Sequence, residues 1–261
     1  MASFAKFIIL FWSLIIMTYT FYVVGKLMWF LSTPRSISNA HTWIFNLLDN
    51  RSRLETAFAP IVFDTIYSIG FIFQHSIFKS ALVKNFIHKL HLSGAERSIY
   101  SLTSSICLHY LLQNWQPAQS IVLWQINVDD SAPLWWTFVV THGICWTIIF
   151  GGTIIMDLPE LLGIKQAYYD LKAYGDPLAY KARELRHLYS HVRHPSFLGL
   201  TLILFATNVM SLDRLLLAFV LTLYMYVAWS TDHKDVAYQQ QQLQRKKLQL
   251  KTQIKGLSFK W

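Results

Sequence analysis

The stretch from Phe7 to Leu31, FIILFWSLIIMTYTFYVVGKLMWFL, decides the fold class of this chain. A helix needs about 20 mostly apolar residues to cross a bilayer, and only Lys26 and small or hydroxyl residues interrupt this run. Because no small-residue cleavage site follows a short apolar core, the run is predicted to be a retained membrane helix rather than a cleaved signal peptide. The chain is therefore predicted to be an integral membrane protein.

The composition supports a membrane protein. Of the 261 residues, 54% are hydrophobic and 14% are charged, whereas an ordinary soluble domain carries about 25% charged residues. Cys107 and Cys145 both lie inside apolar runs and have no partner at CxxC spacing. The sequence therefore predicts two buried, unreactive thiols and neither a disulfide framework nor a zinc cluster.

Apolar runs predict an all-α bundle of about six transmembrane helices. The candidate spans are residues 7–31, 58–78, 97–115, 134–156, 197–211 and 214–231. Since only Ser211 to Arg214 separates the last two, we expect them to form a C-terminal helical hairpin, with the short fifth helix tilted or partly submerged. Residues 157–196 form a polar interfacial segment, residues 232–261 form a basic polar tail, and residues 1–261 make one membrane domain.

The basic residues predict the orientation of the bundle. With six spans, the N-terminus, the loop at 79–96, the segment at 157–196 and the tail share one side, and they hold most of the 23 lysines and arginines. Because basic loops stay on the cytoplasmic side, both termini are predicted to be cytosolic or nucleoplasmic. The topology accounts for the net charge of +9, and no nucleic-acid partner is predicted.

The segment from Tyr189 to Phe197, YSHVRHPSF, places titratable groups just before an apolar run. Arg193, His194 and His191 suit a carboxylate or phosphate, because arginine offers a two-pronged hydrogen-bond donor. The alternative is a basic anchor that contacts lipid headgroups. Two histidines without a carboxylate or a third ligand do not predict a metal site.

Polar residues inside or beside the predicted spans form two further candidate groups. Asp64, Gln74 and His75 are spaced to line one polar stripe of the second helix, although His75 alone is more typical of a structural histidine. Asp157 and Glu160, at the end of the fourth helix, either pair with Arg193 or His194 or are boundary acids in water. A pocket that also includes Asp232 is allowed by this topology.

Arg193-His194-Pro195-Ser196-Phe197-x-Gly199, ahead of a hairpin and an acidic exit, resembles the membrane methyltransferases of the isoprenylcysteine carboxyl methyltransferase and NnrU type. The resemblance implies a site for S-adenosylmethionine and a lipophilic thiol or carboxyl substrate. The candidate cofactor-binding residues are Arg193, His194, His191, Tyr189, Asp232 and Asp235. The chain departs from the pattern in two places, since Phe197 replaces a tyrosine and Asp232-His233-Lys234-Asp235 replaces a pair of glutamates.

A closer resemblance, to the nurim family, covers nearly the whole chain. It rests on Gln74-His75-Ser76, Glu96-Arg97-Ser98-x-Tyr100, Trp115-x-Pro117, Val122-Leu123-Trp124, Glu160-Leu161-x-Gly163-x-Lys165-Gln166-x-Tyr168-Tyr169, Pro177-Leu178-Ala179, Ser190-His191-x-Arg193-His194-Pro195 and Asp213-Arg214-Leu215-Leu216-Leu217-Ala218-Phe219. The resemblance implies six spans and residence in the inner nuclear membrane, without an established biochemical activity. A membrane methyltransferase is the alternative, and a lipid- or haem-binding protein using His75 and His191 is a third, weaker reading.

Overall fold

A computed structural model describes residues 2–37, 51–155, 157–181, 196–228 and 244. The protein is mostly helical, as predicted. Its α-helices in these ranges are α1 (Ala2–Ser32), α2 (Arg51–Phe78), α3 (Ala81–Lys89), α4 (Glu96–Asn114), α5 (Ala132–Ile155), α6 (Leu158–Leu161), α7 (Ile164–Lys172), α8 (Phe197–Phe205) and α9 (Leu212–Ala228). Two short strands, β1 (Val122–Gln125) and β2 (Val209–Ser211), complete the regular structure.

Three of the described helices are long and apolar enough to cross a membrane. They are Phe4–Ser32 in α1, Glu55–Phe78 in α2 and Ala132–Ile154 in α5. Large apolar side chains cover their outer faces, with Trp29 75% exposed, Phe73 63% exposed and Ile154 66% exposed. Such surfaces are stable against lipid tails and costly in water. The predicted membrane character is therefore confirmed.

Helix α4 is the polar helix of the bundle, and its polar face points inward. Its bounds, Glu96–Asn114, agree with the predicted span at 97–115. The Ser98 hydroxyl lies 2.8 Å from that of Ser13, and the Ser105 hydroxyl donates to Thr20 Oγ1 at 2.9 Å. Small hydroxyl residues let two helices approach closely and bond to each other, so they join α4 to α1.

The C-terminal hairpin differs from the prediction. The fifth span was expected to run through residues 197–211, but α8 ends at Phe205, and β2 pairs antiparallel with β1, with Val122 opposite Ser211. The predicted helical fold class therefore holds, with one small two-stranded sheet added to it. At 1.5 Å per residue α8 is about 14 Å long, less than half of a hydrocarbon core.

Asn208 explains why the chain leaves the helix before β2. Its side-chain amide donates to Arg35 O at 2.8 Å, and its side-chain oxygen accepts from Arg35 N at 3.0 Å. Ile126 N donates to Asn208 O at 2.8 Å. These bonds join three connecting segments and satisfy backbone groups that a continued helix would otherwise have used.

The hairpin still packs as a hairpin, and it supplies much of the core. Ile203 and Leu204 of α8 are buried beside Leu217 and Ala218 of α9. Gly199 lets α8 approach α5 closely, because an added Cβ would lie 2.9 Å from Cys145 O. Burial of Cys145 agrees with the sequence prediction, whereas Cys107 is only half-buried, and both thiols are free.

The connecting segments gather at two ends of the bundle. Residues 2–6, 84–97 and 157–177 form the N-terminal end, where Lys6 Nζ lies 3.0 Å from Asp170 Oδ1. Residues 32–37, 115–130 and 206–214 form the strand end, around β1 and β2. Among the described residues, this grouping follows the alternation of loops that the six-span prediction requires.

Candidate functional site

The predicted cofactor-binding residues lie outside the described residues. Tyr189, His191, Arg193 and His194 fall in residues 182–195, and Asp232 and Asp235 fall in residues 229–243. The described chain starts again at Ser196, whose hydroxyl donates to Ile149 O near the end of α5 at 3.0 Å. The site that the structure does show is therefore built from the other groups at the same end of α5.

Asp157 and Glu160 form an ion-pair network with two lysines. Lys181 Nζ lies 2.6 Å from Glu160 Oε2 and 3.7 Å from Asp157 Oδ2. Lys165 Nζ donates to Asp157 Oδ2 and lies 3.7 Å from Glu160 Oε2. Glu160 is only 4% exposed, so the expectation of a boundary acid in water is wrong for it. The alternative pairing with Arg193 or His194 lies outside the described residues.

The network changes the acidity of its members. Burial alone would raise the pKa of Asp157, but the hydrogen bond from Lys165 and the charges of Lys165 and Lys181 lower it overall. The hydrogen bond to Asp157 raises the pKa of Lys165, although burial opposes this change. Both groups therefore hold their charges more firmly in the folded protein than in an unfolded chain.

Local backbone geometry sets this network against α4. Pro159 occupies the first turn of α6, where its missing N–H leaves no bond unmade. Gly163 starts α7 at a φ of +89°, and a Cβ on it would lie 2.5 Å from Ser98 N. Only glycine combines that backbone conformation with such close contact. The turn between α6 and α7 is thus fixed on the first turn of α4.

An open cleft of about 860 Å³ lies between these elements at the N-terminal end. Charged residues of both signs line it, together with two glycines and a proline. The side chains that line it include Lys6, Lys84, His88, Glu96, Arg97, Glu160, Gln166, Asp170 and Asp176. Three of its acids are already paired, since Lys6 contacts Asp170, Lys84 lies 3.2 Å from Glu96 and Lys181 contacts Glu160. Arg97 is exposed and stands 5.7 Å from the ring of Tyr100.

The polar stripe predicted on α2 is confirmed. Asp64 and Gln74 are buried, and His75 is half-buried on the same face. Gln74 donates to Thr103 Oγ1 at 2.8 Å, and its oxygen lies 3.2 Å from His75 Nδ1. Asp64 accepts from Gln116 N at 2.9 Å. The stripe therefore joins α2 to α4 and to the residues that follow α4.

Sequence reasoning missed a buried charge cluster at the strand end. Asp213 is completely buried and accepts hydrogen bonds from Trp115 Nε1 at 2.9 Å and Ala118 N at 3.1 Å. Arg214 donates to Phe30 O at 2.8 Å, and its guanidinium lies 3.5 Å from the centre of the Phe30 ring. The sequence contained one signal for this cluster, which is the adjacent acid and base, Asp213 and Arg214, within an apolar region.

Arg35 completes this cluster from outside the spans. Its Nη1 lies 3.9 Å from Asp213 Oδ2. Burial lowers the pKa of Arg35, and the charge of Asp213 opposes that change. Two arginines and one buried aspartate thus hold α1, α4 and α9 together at the strand end, while Asp64 adds a second acid nearby.

A third polar group, also missed, lies between α1 and α4. Lys26 Nζ is 2.9 Å from His109 Nε2, and Tyr19 Oη is 2.8 Å from His109 Nδ1. All three side chains are half-buried. The signal in the sequence was one polar residue in each of two apolar helices, but their contact depends on how α1 and α4 pack.

No group of three or more histidines, cysteines, aspartates and glutamates in the described ranges is arranged to hold a metal ion. The cleft has room for a small molecule, because small-molecule sites have volumes of about 300–1,000 Å³.

Comparison with known proteins identifies the family of this chain. It is 76% identical to the nurim homologue of Drosophila pseudoobscura pseudoobscura over 97% of this chain and 100% of that protein. It is 74% identical to that of Drosophila melanogaster over 96% and 99%, and 35% identical to human nurim over 72% of each. No protein-family model and no solved structure matches the chain, so the resemblance to membrane methyltransferases stays a prediction. The chain belongs to the nurim family.

Proposed function

We propose that this chain is a multi-pass resident protein of the inner nuclear membrane, with both termini on the nucleoplasmic side. The observation that carries the proposal is its similarity to nurims across nearly the full chain. The apolar exteriors of α1, α2 and α5 support it, because these surfaces need a bilayer around them.

The proposed topology has six crossings. Helix α4 has 19 residues and α9 has 17, which gives lengths of about 28 and 25 Å, close to a hydrocarbon core of about 30 Å. Helix α8 has nine residues and is too short to cross alone. In this arrangement α4 packs against α1 and α2, and Ser98 and Ser105 on its polar face bond to α1.

The distribution of charge supports the orientation. The described basic residues near the N-terminal end are Lys6, Lys84, Lys89, Arg97, Lys165, Lys172 and Lys181. The strand end has Arg35, Arg51, Arg53 and Arg214, with Lys26 near the end of α1, and the buried cluster holds Arg35 and Arg214. Since positively charged segments remain on the side of synthesis, the N-terminal end faces the nucleoplasm.

A tagged chain tests residence and orientation together. We expect the tag at the nuclear rim, resistant to washing with salt and reached by antibody only after the nuclear membranes are permeabilised. Asp129→Thr creates a glycosylation acceptor at Asn127 in the strand end, and His91→Asn creates one with Leu92 and Ser93 in the N-terminal end. The chain already carries one acceptor, Asn50-Arg51-Ser52, before α2, so both variants are made together with Ser52→Ala. In that background the Asp129→Thr variant should be glycosylated and the His91→Asn variant should not. The reverse pattern, or a tag mainly at the plasma membrane, contradicts the proposal.

A membrane methyltransferase is the second candidate, favoured by the cleft. Its volume of about 860 Å³ suits a small molecule. Glu160 lines it and contacts Lys181, the residue directly before 182–195. In this reading Arg193 and His194 hold the charged end of S-adenosylmethionine, with Tyr189, His191, Asp232 and Asp235 nearby. A lipophilic thiol or carboxyl substrate enters from the bilayer, and positioning and exclusion of water assist methyl transfer.

Calorimetry on the purified chain separates the two readings. A methyltransferase should bind S-adenosylmethionine and S-adenosylhomocysteine, and Arg193→Ala and His194→Ala should weaken that binding. Lys172→Ala, a change at an exposed residue of α7, is the matched control. No heat of binding for either compound contradicts the methyltransferase reading and leaves the residence proposal intact.

A further inference from the structure

Helix α3 carries large apolar side chains on an exposed face. Leu82 is 83% exposed, Phe86 is 63% exposed, and Leu90, directly after the helix, is 52% exposed. These residues recur every four positions, so they form one apolar stripe along the helix, within an arc of about 80°. An exposed apolar patch on a helix marks a surface that contacts protein or lipid.

The opposite side of α3 is polar and is held by ion pairs. Lys84 and His88 are each two positions from Phe86, so they lie about 160° around the helix from it. Lys84 Nζ lies 3.2 Å from Glu96 Oε1, and His88 Nε2 lies 3.0 Å from Glu96 Oε2. These three charged or titratable side chains all line the cleft. The apolar stripe therefore points away from the cleft.

The connection to α2 sets the height of α3 in the bilayer. Only Lys79 and Ser80 separate the two helices, and Ser80 N donates to Ile77 O at 2.9 Å. The three steps from the end of α2 to the start of α3 reach at most about 11 Å. The span Glu55–Phe78 has 24 residues, so it is about 36 Å long and ends near the boundary of a hydrocarbon core of about 30 Å. Helix α3 therefore starts at the level of the lipid headgroups.

The other two sides of α3 fit a helix that lies along the membrane surface. Ile87 is 5% exposed and lies about 100° from Phe86, so it faces the bundle, where α3 contacts α2 and α4. Lys89 is exposed and lies about 60° from Phe86 on the other side. Among the described residues, no carboxylate lies within ion-pair distance of Lys89. Its ammonium can therefore reach lipid phosphates while the apolar stripe lies among acyl chains.

We propose that α3 is an interfacial helix, with its apolar stripe immersed in the phospholipid layer and its polar side forming one wall of the cleft. An amphipathic helix with a lysine beside its apolar face binds this layer through buried apolar area and through attraction to phosphates. A single helix then separates the cleft from lipid, and the cleft opens at the level of the headgroups.

Photocrosslinking of the full-length chain in nanodiscs of dioleoyl phosphatidylcholine tests this placement. The photoreactive residue p-benzoylphenylalanine replaces Leu82 or Phe86 of the apolar stripe, and mass spectrometry identifies the adducts. Ala81 is the matched control position in the same helix, because it is exposed and lies about 140° from Phe86. Phe73, 63% exposed on α2, is the control position for the span itself. We expect lipid adducts at Leu82, Phe86 and Phe73, and loss of most of the lipid adduct at Ala81.

The identity of the crosslinked partner distinguishes lipid from protein on the apolar stripe. Adducts of Phe86 with another part of the chain or with a second copy, in place of lipid, overturn the proposal. Equal yields of lipid adduct at Phe86 and Ala81 overturn it as well, because α3 then has no preferred lipid side. Lipid adducts at Phe73 but at neither Leu82 nor Phe86 place the stripe in water, which overturns the proposal and leaves the six-span topology intact.

Discussion

The carboxylate of Asp213 and the indole of Trp115 meet 2.9 Å apart inside the strand end, where Asp213 has no exposed surface. The same carboxylate accepts from Ala118 N. A buried acid with two donors and a nearby arginine connects α4, α9 and the first residues after α1. This cluster is the part of the described fold in which removal of a single charge has the largest expected effect.

Asp213→Ala should lower the free energy of unfolding by about 3–5 kcal/mol, because it leaves a buried indole N–H and the charge of Arg35 without their partner. Asp213→Asn keeps one acceptor and should cost less. Urea or thermal unfolding in one detergent measures both. Asp129→Ala, at an exposed acid of the same end, should change stability by no more than about 0.5 kcal/mol. Equal effects of the changes at Asp213 and Asp129 contradict the assignment.

Gly163→Ala should destabilise the N-terminal end by about 2–4 kcal/mol, since the φ of +89° is strained for alanine and the added Cβ meets Ser98 N at 2.5 Å. Gly151→Ala is the matched control, because nothing lies within 4 Å of its added Cβ near the C-terminal end of α5. That change should be neutral or stabilise the helix by up to about 1 kcal/mol. The difference in unfolding temperature between the two variants is the measurement.

Asp157→Asn should destabilise the protein at neutral pH, because a charged hydrogen bond to Lys165 is lost. The pKa of Asp157 is lowered in the folded state, so its contribution is complete above the unfolded value of about 3.9 and is lost as the pH falls through the folded pKa. The gap in stability between the wild-type and variant chains should therefore close below about pH 4. A gap of constant size from pH 7 to pH 3 contradicts the ion pair.

The stabilisation that Lys165 contributes to the same network is lost at high pH. Its pKa is raised in the folded state, so its contribution is complete below the unfolded value of about 10.4 and is lost as the pH rises through the folded pKa. Lys165→Gln should therefore cost stability at pH 8, and unfolding experiments at increasing pH should show that cost disappear only in strong base. Lys172→Gln, in the same helix, should show no such loss.

Ile144→Asp should reduce insertion of α5 into the membrane, because Ile144 is 56% exposed on the outer face of a span. A charge at the centre of a span costs about 2.5–3.5 kcal/mol on insertion scales. Membrane integration during translation in the presence of microsomes measures the effect. Ile144→Leu should insert normally, and normal insertion of the Asp variant would show that this face of α5 does not meet lipid.

Local sequence patterns were sufficient for the long helices. The structure has helices α1, α2 and α5 where the apolar runs predicted them, with small shifts of their ends. A run of about 20 apolar residues predicts both a helix and its place in lipid. The stripe of Asp64, Gln74 and His75 was also predictable, since helical spacing alone places these residues on one face.

Pairings between distant segments could not be predicted in this way. Val209 to Ser211 continue an apolar run, and only their pairing with β1, far away in the chain, makes them a strand. Lys181 meets Glu160 through the turns of α6 and α7, and Lys26 meets His109 through the packing of α1 on α4. Each contact depends on tertiary structure, which hydropathy and charge counts do not contain.

The small sheet covers one end of the helical bundle. Strands β1 and β2 cover the strand end with backbone hydrogen bonds. Asn208 adds bonds to Arg35 and Ile126. The buried core lies beneath the sheet. The open cleft lies at the other end of the bundle. Among the described residues, the strand end is thus covered by backbone hydrogen bonds above a buried core, and the cleft opens at the N-terminal end.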